Sequence, residues 1–250
     1  MIQTAIVLES LRRKLIMEAI AQPDPVTTTV VSVNMDRMRV TLAAPLPDAF
    51  AWPVMEIQST DPNINGVLLM LKPTTPGSSV VVLDTAIDIN LFPLGPGDTV
   101  VISAGPIKDA AEAENVFLIS PTTKDYTAPI IVISPLSTTT EQVSASAGRR
   151  SKALVSVNFV LQIMCPCNKV ETDESDLVTQ TTAMQIADIG FAQLTRWLPV
   201  FKLTRGMQGV VSTTSTWYGD SVDGSDTGQF AVGVRTEAAL LFHQSSFVSS

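Results

Sequence analysis

The stretch SKALVSVNFVLQI, residues 151–163, places Val155, Val157, Phe159, Leu161 and Ile163 at every second position. Successive side chains of a strand point to opposite faces, so a strict period of two over this length predicts a long strand with one face turned to a core. Downstream the period changes to 3.6. Leu177, Thr181, Met184, Ala187, Phe191, Leu194 and Leu198 form one stripe, predicting a helix over 174–198. Glu174 and Asp176 would sit in its positive first turn, and Pro199 would close it. Alternation returns in GVVSTTSTWY (209–218) and in QFAVGVRTEAALLF (229–242). These predict two long strands joined through GDSVDGSDTG as an extended hairpin. Upstream, PIIVISPL (129–136) predicts a proline-bounded strand. STTTEQVSASAGRRS (137–151) is polar and aperiodic, and a mobile loop is expected there.

The first half has a different texture. Residues 2–21 carry Ile6, Leu11, Leu15, Ile16 and Ile20 at helical spacing, ended by Pro23 and Pro25. From Val26 to about Ser103, short β-branched runs (VTTTVVSV, MRVTLAA, VLLMLK, SSVVVLDT, DTVVIS) alternate with breaks at PLPDAFAWP, DPNING, PTTPG and PLGPGD. That spacing predicts a small antiparallel barrel or sandwich. IKDAAEAEN (107–115) reads as a short helix or linker with an acidic face. The expected fold is therefore α+β: a small β-barrel or sandwich, plus a mainly antiparallel sheet packed on one long helix. The expected boundaries are 1–22 for the N-terminal helix, 23–106 for the β-domain, 107–128 for a linker, 129–245 for the α+β domain and 246–250 for a tail.

Composition narrows the function classes. The 250 residues are 45% hydrophobic, enough to bury a real core. No window approaches the ~18–20 uninterrupted apolar residues of a membrane span, and the N-terminal charges follow the apolar turn, so neither anchor nor signal peptide is expected. The net charge is −8, with 14 acids against 8 bases in residues 1–125 and 10 against 8 in 126–250. Phosphate neutralisation by Lys and Arg supplies most non-specific DNA affinity, so this balance argues against a nucleic-acid binder. Two cysteines, Cys165 and Cys167, are too few and too close for a disulfide framework.

Candidate chemistry is sparse. Asp220, Asp223 and Asp226 recur every third residue, but the D-x-[DN]-x-[DN]-G calcium pattern with its closing Glu is absent. Asp226-Thr227-Gly228 matches the aspartic-protease tripeptide without its second copy or the preceding apolar residues. Cys165-Pro166-Cys167 could hold a soft metal, yet a structural zinc needs about four ligands and the chain holds one histidine, His243. That lone histidine also argues against His-dependent nucleophilic catalysis, and no phosphate-binding glycine loop is found. No catalytic residue, cofactor or metal is expected. The acidic set Asp220, Asp223 and Asp226 and the basic pair Arg149-Arg150 are the candidate contacts to neighbouring chains.

The order APIIVISPL, STTTEQVSASAGRRS, SKALVSVNFVLQIMCP, ETDESDL opening the helix that ends at RWLP, and the closing hairpin TTSTWYGDSVDGSDTGQFAVGVRTEAALLF resembles the tail terminator proteins of long-tailed bacteriophages. The likeness covers residues 129–243 and lies in topology and texture. It implies a ring-forming virion protein, hexameric by resemblance, that caps the tail tube and joins it to the head connector. It also implies that DNA passes through the lumen without tight binding, and that the protein occupies the phage neck after assembly in the host cytoplasm. Residues 26–103 depart from a compact terminator and resemble the small β-barrels of stopper or head-completion proteins. The alternatives are therefore a head–tail stopper, an adaptor or a tail-tube-related protein, and, from another class, a small hydrolase or metal-binding enzyme.

Overall fold

A computed structural model describes residues 4–34, 36, 38–61, 64–84, 94–119, 126–144, 151–167, 178–201, 207–221 and 230–246. The chain opens with helix α1 (Thr4–Ile20). Six strands follow: β1 (Val26–Asn34), β2 (Arg39–Leu42), β3 (Val54–Gln58), β4 (Leu68–Met70), β5 (Val80–Val82) and β6 (Thr99–Ser103). Helix α2 (Pro106–Glu112) and β7 (Val116–Phe117) lead into β8 (Ile130–Ser144) and β9 (Ser151–Cys167). Helix α3 (Gln180–Val200), β10 (Gln208–Ser221) and β11 (Phe230–Ser246) complete an α+β chain with two sheets.

The first sheet runs β4-β3-β6-β1-β2-β5 with antiparallel neighbours. It curls, because an antiparallel bridge between Leu71 and Leu83 links its two edge strands. Val40, Leu42, Leu46, Phe50, Met55, Ile57, Val100 and Ile102 fill its interior. Strand β3 (VMEIQ) directly follows PLPDAFAWP and was not anticipated. Five residues with one charge in the middle carry too little alternation to stand out beside a proline-rich break.

The second sheet runs β10-β11-β9-β8-β7, antiparallel except where β7 joins β8 in parallel. The odd residues of β9 behave as their spacing predicts: Val157, Phe159, Leu161 and Ile163 are buried with Ile131, Ile133, Val234 and Leu240 under the helices. Three sequence expectations are corrected here. Helix α1 turns Leu8, Leu11, Leu15 and Ala19 inward, whereas Ile6 and Ile20 are exposed. Glu9 bridges Arg12 and Arg13 on its surface, and those bonds hold its carboxyl down at about 2. The segment 107–128, bounded as a linker with 107–115 read as a short helix or linker, holds α2 and also β7. Ile107, Ala110 and Ala111 of α2 lie in the same core as α1 and the sheet.

The polar excursion 137–151 is the third correction. Strand β8 continues through Ser144, paired with β9 as far as Lys152, so most of the expected loop is ladder. β-Branched threonines at 138–140 suit a strand even without an apolar rhythm, because residues 137–141 are all exposed and no burial pattern is required.

Helix α3 starts later than its acidic residues suggested. Thr179 caps it by accepting from the Thr182 N–H at 3.3 Å, while Glu174, Asp176 and Leu177 lie outside the described residues. Its buried face is Ala183, Ala187, Gly190, Gln193, Leu194, Trp197 and Leu198. Thr181 and Met184 are exposed and Phe191 is only half-buried, so the true stripe is rotated toward small residues. The reason is close approach: a Cβ on Gly190 would lie 2.3 Å from Ile163 Cδ1, leaving no room for a large residue at the crossing.

Polar bonds fasten the curled sheet to this second unit. Gln193 is fully buried, and its Nε2 donates to the carbonyls of Trp52 at 2.6 Å and Ala104 at 2.8 Å. Lys108 Nζ donates to the carbonyls of Gln22 and Pro23 and to Asp24, gathering the chain that leaves α1. Arg196 of α3 pairs with Asp84, and Trp52 meets Trp197 edge to face at 6.3 Å.

Candidate functional site

All three helices pack on one face of the five-stranded sheet, which leaves the opposite face uncovered by any described helix. Its composition follows from parity along β9, where Ser156, Asn158 and Gln162 alternate with the buried odd residues. The ladder sets Ser137, Asn158, Ala239 and Val210 side by side across all four long strands. Together with Leu136 and Glu237 they line a shallow trough of about 360 Å³. Asn158 Nδ2 donates to Ser137 Oγ at 3.0 Å, and Ser156 Oγ donates to Asn158 Oδ1 at 2.9 Å. Among the residues whose side chains are described, Glu141 and Glu237 share this register with Arg235, so charge on the open face is close to balanced.

Of the sequence-predicted contacts, Asp220 falls among the described residues. Asp220 stands in β10 opposite Ala231, while Asp223 and Asp226 fall in the connection 222–229, outside the described residues. Arg149 and Arg150 fall in the connection 145–150 and are likewise outside them. Phe230, which follows 222–229, pairs with Cys167, and Ser144, which precedes 145–150, pairs with Lys152 of β9. At ~3.3 Å per residue Cys167 and Lys152 are about 50 Å apart along β9.

The C-x-C pair is chemically quiet. Burial, then Cys167 and Asp109, push the Cys165 thiol up to about 12, and burial raises Cys167 as well. Both stay protonated at neutral pH, while a metal ligand or nucleophile must be the thiolate. His243 pairs with Leu154 and Cys165 with Val232, which puts His243 about 36 Å along the strand from the thiols. Among the described residues no group of three or more His, Cys, Asp or Glu could hold a metal ion. No helix among them is long and apolar enough to cross a membrane.

Asp109 of α2 has its carboxyl raised well above its usual range, to about 6, and burial also raises Asp188. For Asp109, burial is the first cause and Glu112 the next, Lys108 opposes them, and Glu56 adds a further rise. A carboxyl raised on folding stabilises the protein below its unfolded value, near 3.8, and that stability is lost as pH rises through 6. The Asp109 side chain is nonetheless exposed to solvent, so screening cuts the effect well below what the shift alone would give. Asp109→Asn is expected to be about 1 kcal/mol more stable than the parent at pH 7 and indistinguishable from it at pH 3.5. Denaturation midpoints across that pH range check it, and a constant difference at every pH would refute the assignment.

Sequence reasoning missed the trough, Gln193 and Lys108. The trough was legible in the even residues of β9 once the odd ones were assigned to a core. Gln193 and Lys108 had no local signal, because their partners lie 84 to 141 residues away. Comparison with known protein families and with curated proteins found no match for this chain.

Proposed function

We propose that the protein is a structural, non-catalytic component of a bacteriophage neck: a ring-forming tail terminator that caps the tail tube and joins it to the head connector. One observation carries this reading. Four antiparallel strands of 14 to 17 residues extend as two hairpins, with helices on one face and no described helix on the other. A subunit of that shape can join its copies through its ends and edges and turn the open face to a lumen. Head-to-tail interfaces close into rings when the rotation permits. A lumen wall suits DNA passage when it carries few lysines and arginines, since those would bind phosphates and hold the polymer. The partners are then further copies of the chain, the tail tube protein and the connector or stopper, and the location is the virion.

The curled six-stranded sheet, linked at its edges by the Leu71–Leu83 bridge, supports a second reading. It is the small β-barrel of a stopper or adaptor, here fused to a terminator-like unit. The first test is direct: negative-stain images of purified protein should contain uniform rings, and antibodies should recover the protein from assembled tails. Failure to find it in tails overturns the placement. The isolated protein is expected to give no gel shift of double-stranded DNA at physiological salt, and salt-sensitive binding at micromolar protein would overturn the lining.

A further inference from the structure

Strand β10 has no partner on its outer side among the described residues, and β8 carries β7 only at Ile131 and Val132. Both edges therefore present rows of backbone N–H and C=O groups. Between their bulges they keep regular runs of similar length, Ser137–Gln142 in β8 and Ser215–Ser221 in β10. Proteins that keep such edges apart place lysines or extra prolines along them. Residues 134–144 and 208–221 hold no Lys or Arg, one acid each, and a single proline, Pro135, ahead of the regular run. Every residue from Pro135 to Glu141 is exposed, and the start of α1 touches this ribbon through the Thr4–Thr138 hydroxyl pair.

We propose that the seam between copies is formed by the β8 edge of one protomer adding to the β10 edge of the next, which continues the sheet from subunit to subunit. The topology favours unlike edges. Directions alternate through β10, β11, β9 and β8, so β8 and β10 run opposite ways, and a neighbour's β10 placed beside β8 preserves the antiparallel pattern. Joining β8 to β8 would leave two β10 edges open in every pair. Joining β8 to β10 around a closed set leaves none. Backbone hydrogen bonds supply the attraction and the side chains that alternate along each edge supply the register, as in other strand additions. The inference rests on the ring reading above and names the surfaces that build it.

Single prolines test the seam, because proline removes a backbone donor. Along an antiparallel strand the N–H groups alternate between the inner and the outer neighbour. In each adjacent pair, Thr139→Pro or Thr140→Pro in β8 and Ser215→Pro or Thr216→Pro in β10, one substitution falls on an outward N–H and leaves the internal ladder intact. The variant of each pair that keeps the parent's circular dichroism and cooperative melting is taken forward. In sedimentation velocity at the highest soluble concentration the parent should form rings, and each blocked variant alone should remain monomeric. Mixed in equal amounts, the two variants should form a one-to-one pair and nothing larger, since each retains the edge that the other has lost. Self-association of the β10-blocked variant would mean a β8-to-β8 contact and overturn the proposal. Rings formed by both variants would overturn the seam while leaving the ring reading intact. A parent that stays monomeric throughout would overturn both.

Discussion

Phe159→Ala is expected to destabilise the protein by about 3–5 kcal/mol, the range for emptying a fully buried aromatic site. Phe159 has no exposed surface and sits at the middle of β9, between Pro135 of β8 and Ala238 of β11 in the ladder. It belongs to the cluster in which residues of α1, α2 and α3 meet the sheet. The cluster also holds Ala110, Ala111 and Ala187, whose methyl groups cannot swing to fill a vacated space. For a chain of this size the melting temperature should fall by roughly 10 °C. Phe191→Ala is the control: it carries the same side chain, half-buried at the rim of the same core, and should cost about 1–2 kcal/mol. Equal losses at both sites would mean that the sheet and α3 pack differently from the arrangement described.

Gln193→Leu is expected to cost about 3 kcal/mol although it preserves volume and adds apolar character. The leucine cannot donate, so the carbonyls of Trp52 and Ala104 lose their shared partner, and each buried acceptor left unpaired costs on the order of 1–3 kcal/mol. Part of that is offset because Gln193 Oε1 is itself buried with no partner, a burden the leucine removes. The two carbonyls belong to the chain around the curled sheet and the glutamine to α3, so the loss should appear as weaker coupling between the units. Chemical denaturation is expected to become broader or biphasic. A single transition as steep and as late as the parent's would show that this bond contributes nothing to the attachment. Gln193→Glu sharpens the test, because a carboxylate is the same size but accepts only, and it should be as damaging at neutral pH.

The same contrast separates what was readable in the chain. Val155 to Ile163 announced a strand with one buried face, and the pair 209–218 and 229–242 announced a hairpin, because the period of two is written into each residue's own position. The helix over 180–200 was legible for the same reason, although its register was not. Large apolar residues such as Met184 and Phe191 drew the eye to one stripe, while contact with Ile163 and Pro106 required glycine and alanine on another. The ladder through Ser137–Ser144 was illegible because its residues 137–141 are all exposed, and an exposed run needs no apolar alternation.

By itself, then, the sequence determined the α+β class, the two textures of the chain, most of the strands and the acidic balance, since propensity, period and charge are properties of neighbouring residues. Only the tertiary structure decided that α1 and α2 complete the core of the second sheet, that Gln193 and Lys108 bind segments far away in the chain, and that β8 and β10 are left as opposite open edges. Those features depend on which distant segments come together, and solvent exclusion at those meetings selects which side chains may be large, which must be small and which must donate a hydrogen bond.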